Sequence, residues 1–264
     1  MRDPRHIAIT GASSGIGAAL AAHYARPGIR LALAGRSETA LAAVAADCRA
    51  RGADVVASRV DVTDAASIAA WLESAAADRP LDLVIANAGI SGGTGPQVAP
   101  TDLREPPEQA AAILAVNVGG VVDTVHPALR IMLRQGRGQV AIMSSIASFR
   151  GFAGAPSYCA SKAMVRVWGE ALRVDYAPHG IEIAVICPGY VKSPMTDAND
   201  FPMPFLMPAA RAARIISRGL AANRARIVFP LRLYWLLRVL TALPEPLLDR
   251  IMARLPRKRG LRPR

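Results

Sequence analysis

The chain predicts an α/β protein: a three-layer, doubly wound parallel sheet followed by a helical, basic C-terminal extension. Three observations carry this. Short apolar runs of strand length alternate with Ala-rich helical stretches from residue 7 to residue 186. The first run feeds a glycine-rich turn that opens directly into a helix. Polar residues gather just after the carboxyl ends of the apolar runs, where open parallel sheets hold their ligands.

In chain order, Ile7-Ala8-Ile9 is the first strand, and Thr10-Gly-Ala-Ser-Ser-Gly-Ile-Gly17 turns into a helix over 18–26. Gly11 permits the tight turn, Gly15 lets backbone approach a pyrophosphate, and Gly17 lets helix pack on strand. The free N–H groups and positive dipole end of that helix suit phosphate. Leu31–Ala34 is the second strand. Where an acidic residue would bond an adenine-ribose hydroxyl, this strand ends in Gly35-Arg36-Ser37. Arg36 suits a 2′-phosphate instead, which points to NADP(H) over NAD(H). A helix over 38–51 leads to a third strand, 54–60, then to Asp61-Val62 and a helix carrying Ile68, Trp71 and Leu72 on one face. Leu81–Ile85 is the fourth strand, closed by Asn87-Ala88-Gly89. Residues 90–107 read as a loop, and 110–122 as a helix in which Asn117 interrupts an apolar run. Strands follow at 140–145 and 181–186, the latter running into Pro188-Gly189 and then Val191 and Ser193.

Between those two strands lies Ser157-Tyr158-Cys159-Ala160-Ser161-Lys162. Tyr158 and Lys162 are four apart, on one face of a helix. A phenol with a pKa of ~10 is a poor acid or base at neutral pH. A nearby ammonium is expected to lower it, the tuning that general acid–base chemistry needs. Ser145 closes the preceding strand, so its hydroxyl stands at the ligand end of the sheet.

With 264 residues, 52% of them apolar, the chain is long enough for one large core. No leader-like apolar region precedes the first strand, and three widely spaced cysteines suggest a reducing, cytoplasmic setting without disulfides. Neither the histidines nor the cysteines have metal-ligand spacing, so no metal is expected. Residues 1–200 hold 18 basic and 18 acidic side chains, whereas residues 201–264 hold 14 and 2. The whole formal charge of +12 therefore sits in the last quarter.

In combination these motifs resemble the short-chain dehydrogenase/reductase family, in its single-domain branch with TGxxxGIG and YxxxK motifs; the match runs over roughly 6–195. The resemblance implies a Rossmann-like fold and a catalytic tetrad of Asn117, Ser145, Tyr158 and Lys162. It also implies a dinucleotide site using Gly11, Ser13, Ser14, Gly15, Ile16 and Gly17 at the phosphates. Asp61 and Val62 would touch the adenine, with Asn87, Ala88 and Gly89 at the end of the fourth strand. Tyr158 and Lys162 would lie beside the nicotinamide ribose, with Pro188, Gly189, Val191 and Ser193 beyond. Ser193 departs mildly from the family's Thr there. The implied activity is hydride transfer between a carbonyl and a secondary alcohol, in a homodimer. An NADPH-binding regulatory or scaffolding protein is the alternative, and the complete tetrad argues against it.

The last quarter departs from the family. Pro202, Pro204 and Pro208 break up the expected substrate cover, a helix is expected over 209–222, and 226–230 reads as the last strand. This sets a catalytic domain at 1–230 and an extension at 231–264. Within the extension, 231–243 is apolar with Tyr234 and Trp235, and a second segment carries Leu247, Leu248, Ile251, Met252 and Leu255 on one face. Five of the last eight residues are basic. That pattern suits peripheral attachment to an anionic membrane, on the inner face of the bilayer, or a cover over the substrate pocket or a subunit interface. Nucleic acid is not expected, because no recognition motif accompanies the charge. The apolar loop and extension suggest an apolar, lipid-like ketone as substrate.

Overall fold

The computed structural model describes residues 3–94 and 103–254. Its centre is a seven-stranded, wholly parallel sheet in the order β3-β2-β1-β4-β5-β6-β7. The strands are β1 (His6–Thr10), β2 (Arg30–Gly35), β3 (Asp54–Arg59), β4 (Leu83–Ala86), β5 (Gly138–Met143), β6 (Ile181–Pro188) and β7 (Arg226–Phe229). Every residue of β1, β4 and β5 is buried, which is why these strands read as unbroken apolar runs.

Alternate side chains feed two layers. Ile7, Ile9, Leu33 and Ile85 face α1 (Gly15–Tyr24), α2 (Glu38–Ala50) and α8 (Ala209–Ala221). Ala8, Ala32, Val84 and Val140 face α3 (Ala65–Ala76), α5 (Gly120–Gln135) and α6 (Pro156–Tyr176). Small residues on the second side let those helices sit close: a Cβ on Gly169 of α6 would meet Val185 at 2.8 Å. The strand order reverses between β1 and β4, and their carboxyl ends open the crevice that doubly wound sheets use for ligands.

Four departures from the sequence expectations bear on function. The helix expected over 110–122 is α4 (Pro107–Leu114), a π turn (Ala115–Gly119) and then α5, which runs on through Pro127 to Gln135. Pro107–Gln135 is long and apolar enough to cross a membrane, yet its Val121, Val125, Leu129 and Met132 are buried in the core. A four-residue helix, α7 (Pro194–Asp197), follows β6, with Ser193 as its N-cap. The proline-rich stretch is tied down by a bridge between Val191 and Met207. The extension folds as α9 (Leu231–Leu240) and α10 (Glu245–Ala253), and the expected basic stretch 257–264 lies outside the described residues, as do 95–102 of the loop. Within α10, Leu248 and Met252 are buried, joining Leu237 of α9 and Ile146 in a third core cluster. Of the apolar face expected there, Leu248 and Met252 are thus turned inward, Leu247 is exposed, and Leu255 lies outside the described residues.

Candidate active site

The crevice is built by a clasp between the ends of β1 and β4. Thr10 Oγ1 accepts from the amides of Asn87 and Ala88 at 3.1 and 3.2 Å, and Asn87 Nδ2 donates back to the carbonyls of Thr10 and Gly11 at 3.0 and 3.1 Å. The turn allows no larger residue. A Cβ on Gly17 would lie 2.3 Å from the Gly11 carbonyl oxygen, and Gly11 and Gly15 have φ of +65° and +55°, where a side chain is strained. Ser14 precedes α1 in extended backbone and its side chain caps nothing, so the helix N-terminus is left to an outside acceptor. Ser13 stands beside Gly35, which brings the turn next to the exposed Arg36, and Ile16 packs on the core. Val62 is buried against Gly120, while the exposed Asp61 accepts from the amide and hydroxyl of Thr63 at 3.0 and 2.9 Å. These features fit a dinucleotide: free helix amides for its pyrophosphate and an unencumbered guanidinium at the end of β2.

The four tetrad candidates converge on the neighbouring end of the crevice. Asn117 sits in the π turn, a distortion that often marks functional positions. It is fully buried; its Oδ1 accepts from the Ile90 amide at 2.8 Å, and its Nδ2 donates to the Ile90 carbonyl at 2.9 Å and to Ser161 Oγ at 3.1 Å. Lys162 is buried on α6, and its Nζ donates to the Met143 carbonyl at 3.0 Å. A Cβ on Gly89 would meet Asn117 Oδ1 at 3.2 Å and Lys162 Nζ at 3.3 Å, so a side chain there would press on both polar groups. Ser145 follows the end of β5 and accepts from the Ala147 amide at 3.1 Å. Tyr158 is half-buried in the first turn of α6.

Burial governs both titrating groups. It pushes the Tyr158 phenol up to about 12, opposed by the Ser145 hydroxyl, and brings the Lys162 ammonium down to about 8. The expectation that Lys162 lowers the Tyr158 pKa is thus not met in this arrangement. Lys162 Nζ is 6.0 Å from the Tyr158 ring centroid and is engaged by the Met143 carbonyl, so desolvation prevails.

The loop after β6 supplies the remaining wall. Ser193 Cβ would touch a Cβ on Gly15 at 3.0 Å, so this loop faces the glycine turn directly. Tyr190 packs edge-on to Phe201, with ring centroids 6.3 Å apart. A Cβ on Gly189 would meet Leu233 of α9 at 3.2 Å and Ile146 at 3.4 Å. Tyr234 of α9 stacks edge-on against Phe149 at 5.1 Å, and Arg150 pairs with Glu245 and Asp249 of α10 at 2.9 and 3.4 Å. The two helices therefore roof the loop that follows Ser145. Under that roof lies a cavity of about 690 Å³, bounded by Phe149, Phe152, Pro156, Cys159 and Met252.

Three supporting residues were not singled out in the sequence. Ser161 donates to the Tyr158 carbonyl at 2.7 Å while receiving Asn117, and Ser144 Oγ donates to the Lys162 carbonyl at 2.8 Å. Glu105 binds the amide and hydroxyl of Ser157. Ser161 lay in plain sight one residue before Lys162, but nothing in a lone Ser declares its partner.

A family model described as short chain dehydrogenase matches residues 5–201. The chain belongs to that family. An oxidoreductase of Myxococcus xanthus, named as uncharacterized, is 39% identical over 94% of this chain and 96% of its own length. The 2-(R)-hydroxypropyl-CoM dehydrogenase of Xanthobacter autotrophicus is 37% identical over 71% of this chain and 75% of its own. Among solved structures, a short chain dehydrogenase/reductase from Burkholderia phymatum in complex with NAD superposes with a TM-score of 0.76 at 26% identity, covering 86% and 90% of the two chains. This short-chain dehydrogenase is accordingly an NAD(P)-dependent oxidoreductase acting on alcohol and carbonyl groups.

Proposed function

We propose that the protein is an NADP(H)-dependent reductase of apolar, lipid-like ketones, reversible in principle, with Tyr158 as its acid. The observation that carries the acid assignment is the gathering of Ser145, Tyr158, Lys162 and Asn117 at one end of the crevice, with Gly89 leaving room between two of them. Bound dinucleotide would supply the hydride. The glycine turn and the first amides of α1 would hold its phosphates, Arg36 the 2′-phosphate, and Asp61 with Val62 the adenine. Asn87, Ala88, Gly89, Lys162, Pro188, Gly189, Val191 and Ser193 would surround its other half.

Tyr158, kept protonated by burial, holds a proton for the carbonyl oxygen, and the Ser145 hydroxyl donates to the same oxygen and orients it. Lys162 supplies positive charge beside the site, and Asn117 anchors the relay end of the crevice through Ile90 and Ser161. The apolar preference is supported by the walls: Ile146, Phe149, Tyr190 and Phe201, closed over by Leu233 and Leu237. Residues 1–230 form the catalytic unit in this reading, the extension 231–264 closes the substrate side and attaches peripherally to an anionic membrane surface, and the enzyme works as a homodimer.

The test is NADPH consumption against ketones graded in chain length, with Tyr158→Phe as the control. Rates should climb with chain length and fall by about 10²- to 10⁴-fold in the variant, with NADPH binding kept. A variant that turns over like the wild type removes Tyr158 from the chemistry.

A further inference from the structure

The two faces of α9 do different things. Leu237 is buried, and Leu233 and Tyr234 pack toward Ile146 and Phe149, so the inner face belongs to the wall of the catalytic loop. The outer face carries Leu231, Trp235 and Val239, spaced four apart, with exposures of 60%, 61% and 65%; Leu236 beside them is 53% exposed. A solvated helix face is ordinarily polar, and a contiguous apolar stripe on it marks an interaction surface.

Charge selects the partner. Arg232 and Arg238 flank the stripe, and Arg250 on α10 and Arg254 just after it stand exposed, all four without an acidic partner among the described residues. The only two acids after residue 200, Glu245 and Asp249, are both drawn to Arg150. A second copy would bring the same excess of positive charge to the contact, which opposes pairing through this face. An anionic bilayer offers what both features want: hydrocarbon for the stripe, a headgroup layer for the tryptophan, and negative charge for the arginines.

We infer that the outer face of α9 docks on the surface of an anionic lipid bilayer, so that one helix serves as membrane contact and substrate-site wall at once. The first half of this stands on α9 alone; the delivery of a bilayer-dissolved ketone to the inner face rests on the reductase reading above. The contact is α9's, since Leu248 and Met252 of α10 are buried in the third core cluster.

Flotation of the full chain with phosphatidylcholine vesicles containing about a third phosphatidylglycerol, and with pure phosphatidylcholine vesicles, tests it without substrate or dinucleotide. The wild type should float with the anionic vesicles, weakly with the neutral ones, and less in high salt. Trp235→Ser with Val239→Ser should cut vesicle affinity at least tenfold while leaving the melting temperature and turnover of a water-soluble ketone unchanged. A double variant that floats as the wild type does would overturn the inference, and so would a wild type that ignores anionic vesicles. A double variant that leaves flotation alone but dissolves an oligomer assigns the stripe to a second copy, which also overturns it. Tyr158→Phe should float normally, so failure of the reductase reading leaves this measurement intact.

Discussion

Glu105 accepts hydrogen bonds from both the amide (3.2 Å) and the hydroxyl of Ser157, the residue immediately before Tyr158. The helix that carries Tyr158 and Lys162 begins without a cap of its own, since Ala155 has no side-chain acceptor. A carboxylate reaching in from the loop after β4 satisfies that helix end and its dipole together. Glu105→Ala should therefore lower stability by about 1 kcal/mol and lower kcat more than dinucleotide affinity. Glu105→Gln, whose amide oxygen still accepts, should recover most of both. Thermal melts and NADPH titrations of the two variants check this; equal losses in Ala and Gln would assign the effect to charge alone.

Lys162 sets a pH dependence of stability. Its folded pKa of about 8 lies below the unfolded 10.5, so the folded state resists the charged form. That cost is fully present below pH 8 and is relieved as pH rises from 8 toward 10.5, where the unfolded chain binds more protons. Tyr158 acts oppositely: held at about 12 against 10.0, it makes stability fall as pH rises above 10. Urea unfolding should thus show stability rising from pH 8 to 10 on account of Lys162. In Lys162→Met that rise should be missing, and curves that run parallel across the window would refute it.

Arg36 is exposed just past the end of β2, with no ion pair among the described residues. Arg36→Asp should weaken NADPH binding by about 10- to 100-fold, the range of a lost charge-assisted hydrogen bond, and weaken NADH binding far less. Fluorescence titration with each dinucleotide decides, and equal losses would deny Arg36 the 2′-phosphate.

Gly17→Ala would push a methyl to within 2.3 Å of the Gly11 carbonyl and 2.6 Å of Asn87 Nδ2. Relieving that clash should cost about 1–3 kcal/mol and open the clasp. A melting temperature and a dinucleotide Kd both unchanged would mean that the turn yields more easily than its packing implies.

What could be read ahead of the structure follows from how local each signal is. The buried strands announce themselves as apolar runs, and the glycine turn as a spacing, because each constraint acts within a few residues. Asn117 could be numbered but not placed: the π turn that buries it against Ile90 depends on a loop 27 residues away. The helix runs on beyond 122 because the cost of Pro127 within α5 is outweighed by the burial of Val125, Leu129 and Met132, whose partners lie elsewhere in the chain. The amphipathic pattern of α10 was legible, but a pattern names a face and not its partner. Leu248 and Met252 found theirs in Ile146.

The roof over the loop that follows Ser145 comes from one unbroken stretch, α9 and α10, while the four candidate catalytic side chains are spread over three earlier segments of the chain. Inheritance can treat the two separately. A lineage that rewrites only these last helices can try new cargoes at little risk to the chemistry, and so diversify quickly while its centre stays still.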